Sequence, residues 1–169
     1  MKKLFCMAML LALVGCTGIP EGVTPINNFN IKKYQGKWYE IARLDHSFER
    51  GLNKVSAEYK IKENGDVQVI NRGYHSEDKE WNEAEGVAKF VDSTNNGHLK
   101  VSFFGPFYGS YIIFYLDEGY QHSFVSGPDT SYLWLLSRTP NPPKSVVDDF
   151  MKQATALGFN VDDIIMPEH

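Results

Sequence analysis

The chain has 169 residues and a formal charge of −4, with 43% of its residues apolar, which suits one domain with a full hydrophobic core. Basic residues run no longer than pairs such as Lys32-Lys33, and with the acidic balance this argues against nucleic acid as a partner. The two cysteines, Cys6 and Cys16, both lie at the front.

Met1-Lys2-Lys3 supplies a positive start, and residues 4–14 form an apolar run too short for a stable transmembrane helix, so residues 1–15 read as a signal peptide. The run ends in Leu13-Val14-Gly15-Cys16, which resembles the lipobox where bacterial lipoproteins are cut and acylated. That resemblance implies that Cys16 becomes the first residue and carries a thioether-linked diacylglycerol and an N-acyl chain such as palmitate. Each buried CH₂ contributes about 0.8 kcal/mol, so several acyl chains hold firmly where one does not. Thr17 stands where inner-membrane lipoproteins often carry Asp, and by the same analogy it points to the outer membrane. The competing reading is a secreted protein cut elsewhere, with Cys16 incidental. Loss of Lys2 and Lys3 moves the formal charge to −6. With Cys6 removed and Cys16 acylated, no thiol remains as nucleophile, disulfide partner or metal ligand.

Residues 17–30 mix Gly, Pro, Thr and Asn, the composition of a tether, so residues 16–26 are expected to link the lipid to a folded domain over 27–169. Eight β-favouring runs follow, at 37–44, 55–61, 67–74, 83–91, 99–104, 111–116, 122–126 and 132–137. Glu63-Asn64-Gly65-Asp66, Asn95-Asn96-Gly97 and Gly127-Pro128-Asp129 separate them with turn chemistry, and the Asn-Gly pairs mark hairpins between sequential antiparallel strands. The expected fold is all-β, an eight-stranded antiparallel up-and-down barrel whose interior holds one small ligand. After Pro142-Pro143, apolar residues at 146, 147, 150, 151, 154 and 157 have helical spacing and Gly158 is a stop, so one C-terminal helix packs outside. Residues 161–166 form a short final strand.

Gly36-Lys37-Trp38-Tyr39-Glu40, preceded by Asn28-Phe29 and Tyr34, resembles the Gly-x-Trp signature of lipocalins. Leu116-Asp117-Glu118-Gly119-Tyr120 resembles the family's turn between its sixth and seventh strands, and Arg138 follows the eighth run as the family arginine does. The stretches at 45–51 and 102–109 are similar to bacterial lipocalins of the outer-membrane lipoprotein type. The resemblance implies that Trp38 plugs the closed end and that Arg138 lies over its ring, a cation-π contact of about 0.5 to 2 kcal/mol. Arg138 as a ligand counterion is the weaker alternative. The resemblance calls for no cofactor and leaves homodimer formation open.

With Trp38 and Arg138 inward, alternation places Tyr132, Trp134 and Leu136 inside. Alternation and the family pattern together add Val55, Ala57, Tyr59, Val67, Val69, Asn71, Ala84, Gly86, Ala88, Leu99, Val101 and Phe103. The small residues leave room, and this mostly apolar lining suits a lipid chain, with any charged head kept near water at the mouth. Residues 45–51 and 105–110 read as mouth loops. For Phe103 and Tyr111, packing and ligand contact weigh equally, while exposure of Phe107 and Tyr108 in their loop favours a binding role. The five histidines lack metal-site spacing and read as surface or turn residues, so no metal is expected. Glu40 and Glu85 as paired acids weigh less than solvent-facing or barrel-end carboxylates. Without a Gly-x-Ser-x-Gly elbow or a cavity cysteine, an enzyme is not expected. Two readings remain: an outer-membrane, lipid-anchored module that stores or transports fatty acids or lysophospholipids, and an interaction lipoprotein with a plugged barrel.

Overall fold

The computed structural model describes residues 17–169, so Cys16 and the signal segment lie outside the described residues. Alternating side chains drive the chain into strands β1 (Gly36–Leu44), β2 (Leu52–Ile61), β3 (Val67–His75) and β4 (Glu80–Phe90). The remainder of the wall is β5 (His98–Phe104), β6 (Phe107–Leu116), β7 (His122–Ser126) and β8 (Leu133–Ser137). Each pairs antiparallel with its successor, and β1 also pairs with β8, so the sheet closes and loses its edges. A two-residue strand, β9 (Ile164–Ile165), pairs with the end of β1 after a 3₁₀ turn at Val161–Asp163. The expected final strand over 161–166 is therefore half turn, half strand.

Two apolar layers result. The interior is filled by Phe29, Tyr34, Trp38, Tyr59, Val67, Val69, Ala88, Leu99, Ile113, Val125 and Leu136. The outer layer lies between the barrel wall and helix α2 (Lys144–Ala156), whose Phe150 and Ala154 bury against Ile41, Ala42, Ile112, Phe124, Leu133 and Leu135. Pro143 precedes α2, and Gly158 just beyond it takes φ +80°, a left-handed conformation that glycine adopts without a Cβ penalty.

The closed end is built around one ring. A short helix α1 (Ile31–Tyr34), capped by the Asn30 side chain accepting from the Lys32 N–H, lays Tyr34 under the barrel. Trp38 is fully buried and donates its Nε1–H to the Tyr34 carbonyl at 2.8 Å. The Arg138 guanidinium lies 3.9 Å from the Trp38 ring centroid. Its hydrogens reach the carbonyls of Tyr120, Lys37, Lys33 and Tyr34, tying α1, β1 and the β6–β7 turn together. Arg138 is thus bonded into the barrel base.

The expected tether is different in the structure. Gly18 lies beside the β7–β8 turn, where a Cβ would be 3.4 Å from the Pro128 carbonyl, and Pro20 and Val23 are buried. The Ile26 N–H donates to Ile113 O and its carbonyl accepts from Gly97 N. Residues 18–26 form a strap along the outer wall from the mouth to the base, so the folded unit begins well before Asn27. Within this segment Val23 joins the layer under α2 and Ile26 packs against the interior cluster, contacts that composition does not display.

Replacing Arg138 with Lys keeps the charge but loses the planar stack and the fork of donors. The variant is expected to be less stable by about 1–2 kcal/mol, read from the urea midpoint, and Trp38→Ala by about 3–5 kcal/mol. An unchanged midpoint for Arg138→Lys would show that the closed end does not depend on the stack.

Candidate functional site

Strands in a closed barrel tilt, so a row of paired residues climbs the wall. The row Trp38↔Ala57↔Asn71↔Ala84 shows this: Trp38 is sealed at the floor, Ala57 and Asn71 are partly covered, and Ala84 is exposed. The interior accordingly divides into two halves. In the lower half Tyr59, Val69, Ala88 and Leu136 are all buried. The space enclosed by Phe29, Ile31, Tyr34, Tyr59, Ala88, Leu99, Val101, Tyr111 and Ile113 is about 10 Å³, at the limit of what one water needs. These four residues, read from the sequence as ligand contacts, are buried among the side chains of the interior cluster.

A layer of phenols caps the filled half. The Tyr111 hydroxyl lies 2.8 Å from both the Tyr34 and Tyr59 hydroxyls, and Tyr34 also meets the Ser123 hydroxyl at 3.2 Å. Burial pushes the Tyr34 phenol up to about 12 and raises those of Tyr59 and Tyr111 as well, so all three stay neutral and supply hydrogen bonds to one another.

The upper half, the chamber, is less covered toward the mouth. Ala57, Asn71, Val101, Phe103, Tyr111, Tyr132 and Trp134 keep part of their surface exposed, and Ala84 more. Gly86 does not add room as expected, because the Phe103 ring lies across it and a Cβ there would come within 2.8 Å. Val55 is buried at the β2–β3 seam, where its side chain and that of Leu52 occupy the space a Gly73 Cβ would take. Residues 107–110, expected in a mouth loop, begin β6, leaving Gly105-Pro106 as the turn.

One wall of the chamber is charged, which alternation does not foretell. A bulge between Glu40 and Ala42 turns Ile41 and Ala42 both toward α2, so Glu40 and Arg43, three residues apart, both face inward. Arg43 Nη1 donates to Glu40 Oε1 at 2.6 Å, and its Nη2 donates to the carbonyls of Glu49 at 2.9 Å and Leu52 at 3.3 Å. The β1–β2 loop folds over this edge of the mouth. Glu49 accepts from Trp134 Nε1 at 3.1 Å and lies 2.9 Å from His46 Nε2, and His46 stacks on Phe48 with Tyr132 nearby. Burial, then the neighbouring Glu49, raises the Glu40 carboxyl well above its ordinary range despite Arg43. Burial also pushes Glu49 upward, but His46, Trp134 and Arg43 together hold it below the ordinary value.

Several readings change accordingly. Glu40 is a buried partner of Arg43, whereas Glu85 faces outward, where it accepts from Gln68, so the two do not form a pair of acids. His46 and His98 are buried rather than at the surface. Among the described residues, no three histidines, cysteines or carboxylates gather as a metal-binding group.

A carboxyl with a higher pKa in the folded than in the unfolded state binds more protons when folded, so stability falls as pH rises from the ordinary carboxylate range through the raised value. For Glu40 the slope reaches at most about 1.4 kcal/mol per pH unit. Glu40→Gln keeps an acceptor for Arg43 and removes this slope. Its unfolding temperature, relative to the parent, is expected to be higher at pH 8 than at pH 5, and parallel pH curves for the two proteins would contradict it.

A family model described as a lipocalin-like domain matches residues 29–169. The chain is 52% identical over 166 residues to the outer membrane lipoprotein Blc of Vibrio cholerae, covering 98% of this chain and 97% of that one. It is 50% identical over 146 residues to the Escherichia coli K12 protein of the same name, covering 86% and 82%. Insecticyanin from the tobacco hornworm has a similar structure, with a TM-score of 0.72 at 22% identity over 90% of this chain and 87% of that one, a likeness of fold alone.

Proposed function

This chain belongs to the lipocalin family, and on that footing we propose that it is an outer-membrane lipoprotein, anchored through Cys16, that holds one single-chain lipid in the upper half of its barrel. The observation that carries the reading is the contrast between the packed, phenol-capped lower half and the chamber above it, where Ala57, Asn71 and Ala84 keep the wall thin. An acyl chain entering this cup loses apolar surface to water at about 25 cal/mol per Å². Phe103, Val101, Tyr111 and Trp134 supply the apolar lining.

The charged wall bears on orientation. Glu40 and Glu49 flank one guanidinium whose Nη atoms are already bonded, so an anionic head driven deep finds no free Nη donor and meets the Glu49 carboxylate. The chain therefore enters tail first and the head stays at the mouth, a pose open to both a fatty acid and a lysophospholipid. Storage or transport of such single-chain lipids at the outer membrane, in the service of membrane maintenance, is the role we propose. The competing reading, an interaction lipoprotein with a plugged barrel, draws its support from the filled lower half.

Residues 17–169, delipidated and titrated calorimetrically with a fatty acid and with a lysophospholipid, should bind near one ligand per chain. Ala84→Phe and Ala57→Phe should each weaken binding at least about tenfold, or 1.4 kcal/mol. Trp134 fluorescence should respond, whereas Trp38, sealed below, should not. A folded domain that binds neither lipid saturably would shift the reading to the interaction lipoprotein.

A further inference from the structure

The lining that alternation gives β2, β3, β4 and β5 is apolar side chains, glycine and the phenol of Tyr59, apart from one amide, Asn71. Asn71 stands mid-way along β3, in register with Ala57 of β2 on one side and Ala84 of β4 on the other. Asparagine is disfavoured within strands, because it packs poorly on an apolar face and its amide competes for backbone hydrogen bonds. Asn82, next above Ala84 on the same side of β4, is exposed at the rim, where water solvates it.

The Asn71 Oδ1 atom is buried, and among the described residues no donor reaches it. The nearby polar groups of the chamber are committed elsewhere. The Tyr59 and Tyr111 hydroxyls bond each other, Trp134 Nε1 donates to Glu49, and the Arg43 Nη atoms are held by Glu40 and two loop carbonyls. Two further buried nitrogens without partners, Arg43 Nε and His46 Nδ1, belong to the charged cluster beneath the β1–β2 loop. Asn71 differs in its neighbours: both cross-strand partners end at Cβ, so neither covers the amide. A buried amide oxygen without a donor destabilises the fold, and valine at this position would avoid the loss.

Depth and chemistry select what meets this amide. At 3.3 Å per residue, Asn71 lies about 13 Å along β3 from His75 at its mouth end. A lipid with its head at the mouth therefore lays the body of its chain here, not its head. Methylene groups cannot pair the amide, and carboxylate or phosphate oxygens only accept. A hydroxyl donates to Oδ1 and also accepts from Nδ2, so it serves whichever way the amide lies.

We propose that Asn71 makes the chamber selective for single-chain lipids that carry a hydroxyl part-way along the acyl chain, with the hydroxyl seated on the Asn71 amide between Ala57 and Ala84. The inference rests on the proposed lipid-holding function and names the ligand class for it. A plain chain leaves the amide unpaired and takes water from it, whereas a hydroxylated chain pairs it, and a site built to bond a ligand hydroxyl rejects the analogue that lacks one.

Residues 17–169, delipidated, are to be titrated calorimetrically with octadecanoic acid, with the same acid hydroxylated on its twelfth carbon, and with the acid hydroxylated on its second carbon. The hydroxyl on the twelfth carbon is expected to tighten binding at least about tenfold, and the one on the second carbon, held near the mouth, less than about threefold. In Asn71→Val the plain acid should bind tighter than it does to the parent, and the acid hydroxylated on the twelfth carbon weaker. Asn71→Ala, equally unable to bond, should lose the same preference whatever the packing of valine. Equal affinity of the parent for all three acids, or a hydroxyl preference that persists in both variants, would overturn the selectivity while lipid holding stands. Saturable binding of none of the three would remove lipid holding and the selectivity with it.

Discussion

The stack of Arg138 on Trp38 is the constraint on which the remaining architecture depends. A closed sheet has no edges to protect, but its two ends must be sealed or water enters the core. One indole fills the base here, and one guanidinium both covers that indole and draws four backbone carbonyls from α1, β1 and the β6–β7 turn to a single point. With the base closed, Tyr34 has a fixed position, and through Tyr34 the hydroxyls of Tyr59 and Tyr111 are set as the ceiling of the packed half. The depth of the chamber follows from that ceiling.

The charged wall above it contrasts with the apolar lining opposite. Burying Glu40, Arg43 and Glu49 together costs solvation, and one guanidinium shared between two carboxylates leaves Glu40 with a raised affinity for a proton. These groups also join β1 to the β1–β2 loop, because Arg43 bonds the carbonyls of both Glu49 and Leu52. The loop that borders the entrance is therefore held by the same side chain that sets the polarity of the interior.

Much of this was legible from alternation. The strand order follows from turn chemistry and the inward side of β2, β3 and β5 from a period of two, while the meeting of Trp38 and Arg138 at the base is what the lipocalin resemblance implied. What escaped has definite physical causes. The bulge after Glu40 shifts β1 by one residue, and a shift of one exchanges faces, so Arg43 reads as outward until the pairing is known. Barrel shear, which alternation does not report, decides that Tyr59, Val69 and Ala88 sit below the chamber while Asn71 and Ala84 border it. Burial of His46 beside Trp134, and of the 18–26 strap against the wall, arises from contacts between segments far apart in the chain.

Closure between the first and last wall strands also governs when this protein can fold. β1 needs β8 as a neighbour, and its mouth end then takes β9, while the C-terminal His169 Nε2 meets the Glu40 carbonyl at 2.7 Å. No N-terminal portion that stops short of β8 can close the barrel, because the second edge of β1 has no partner until β8 is present. A topology so rich in non-local pairs forms slowly compared with a helical one. The mouth end of β1 is completed by β9, which follows α2 in the chain, after the eight wall strands.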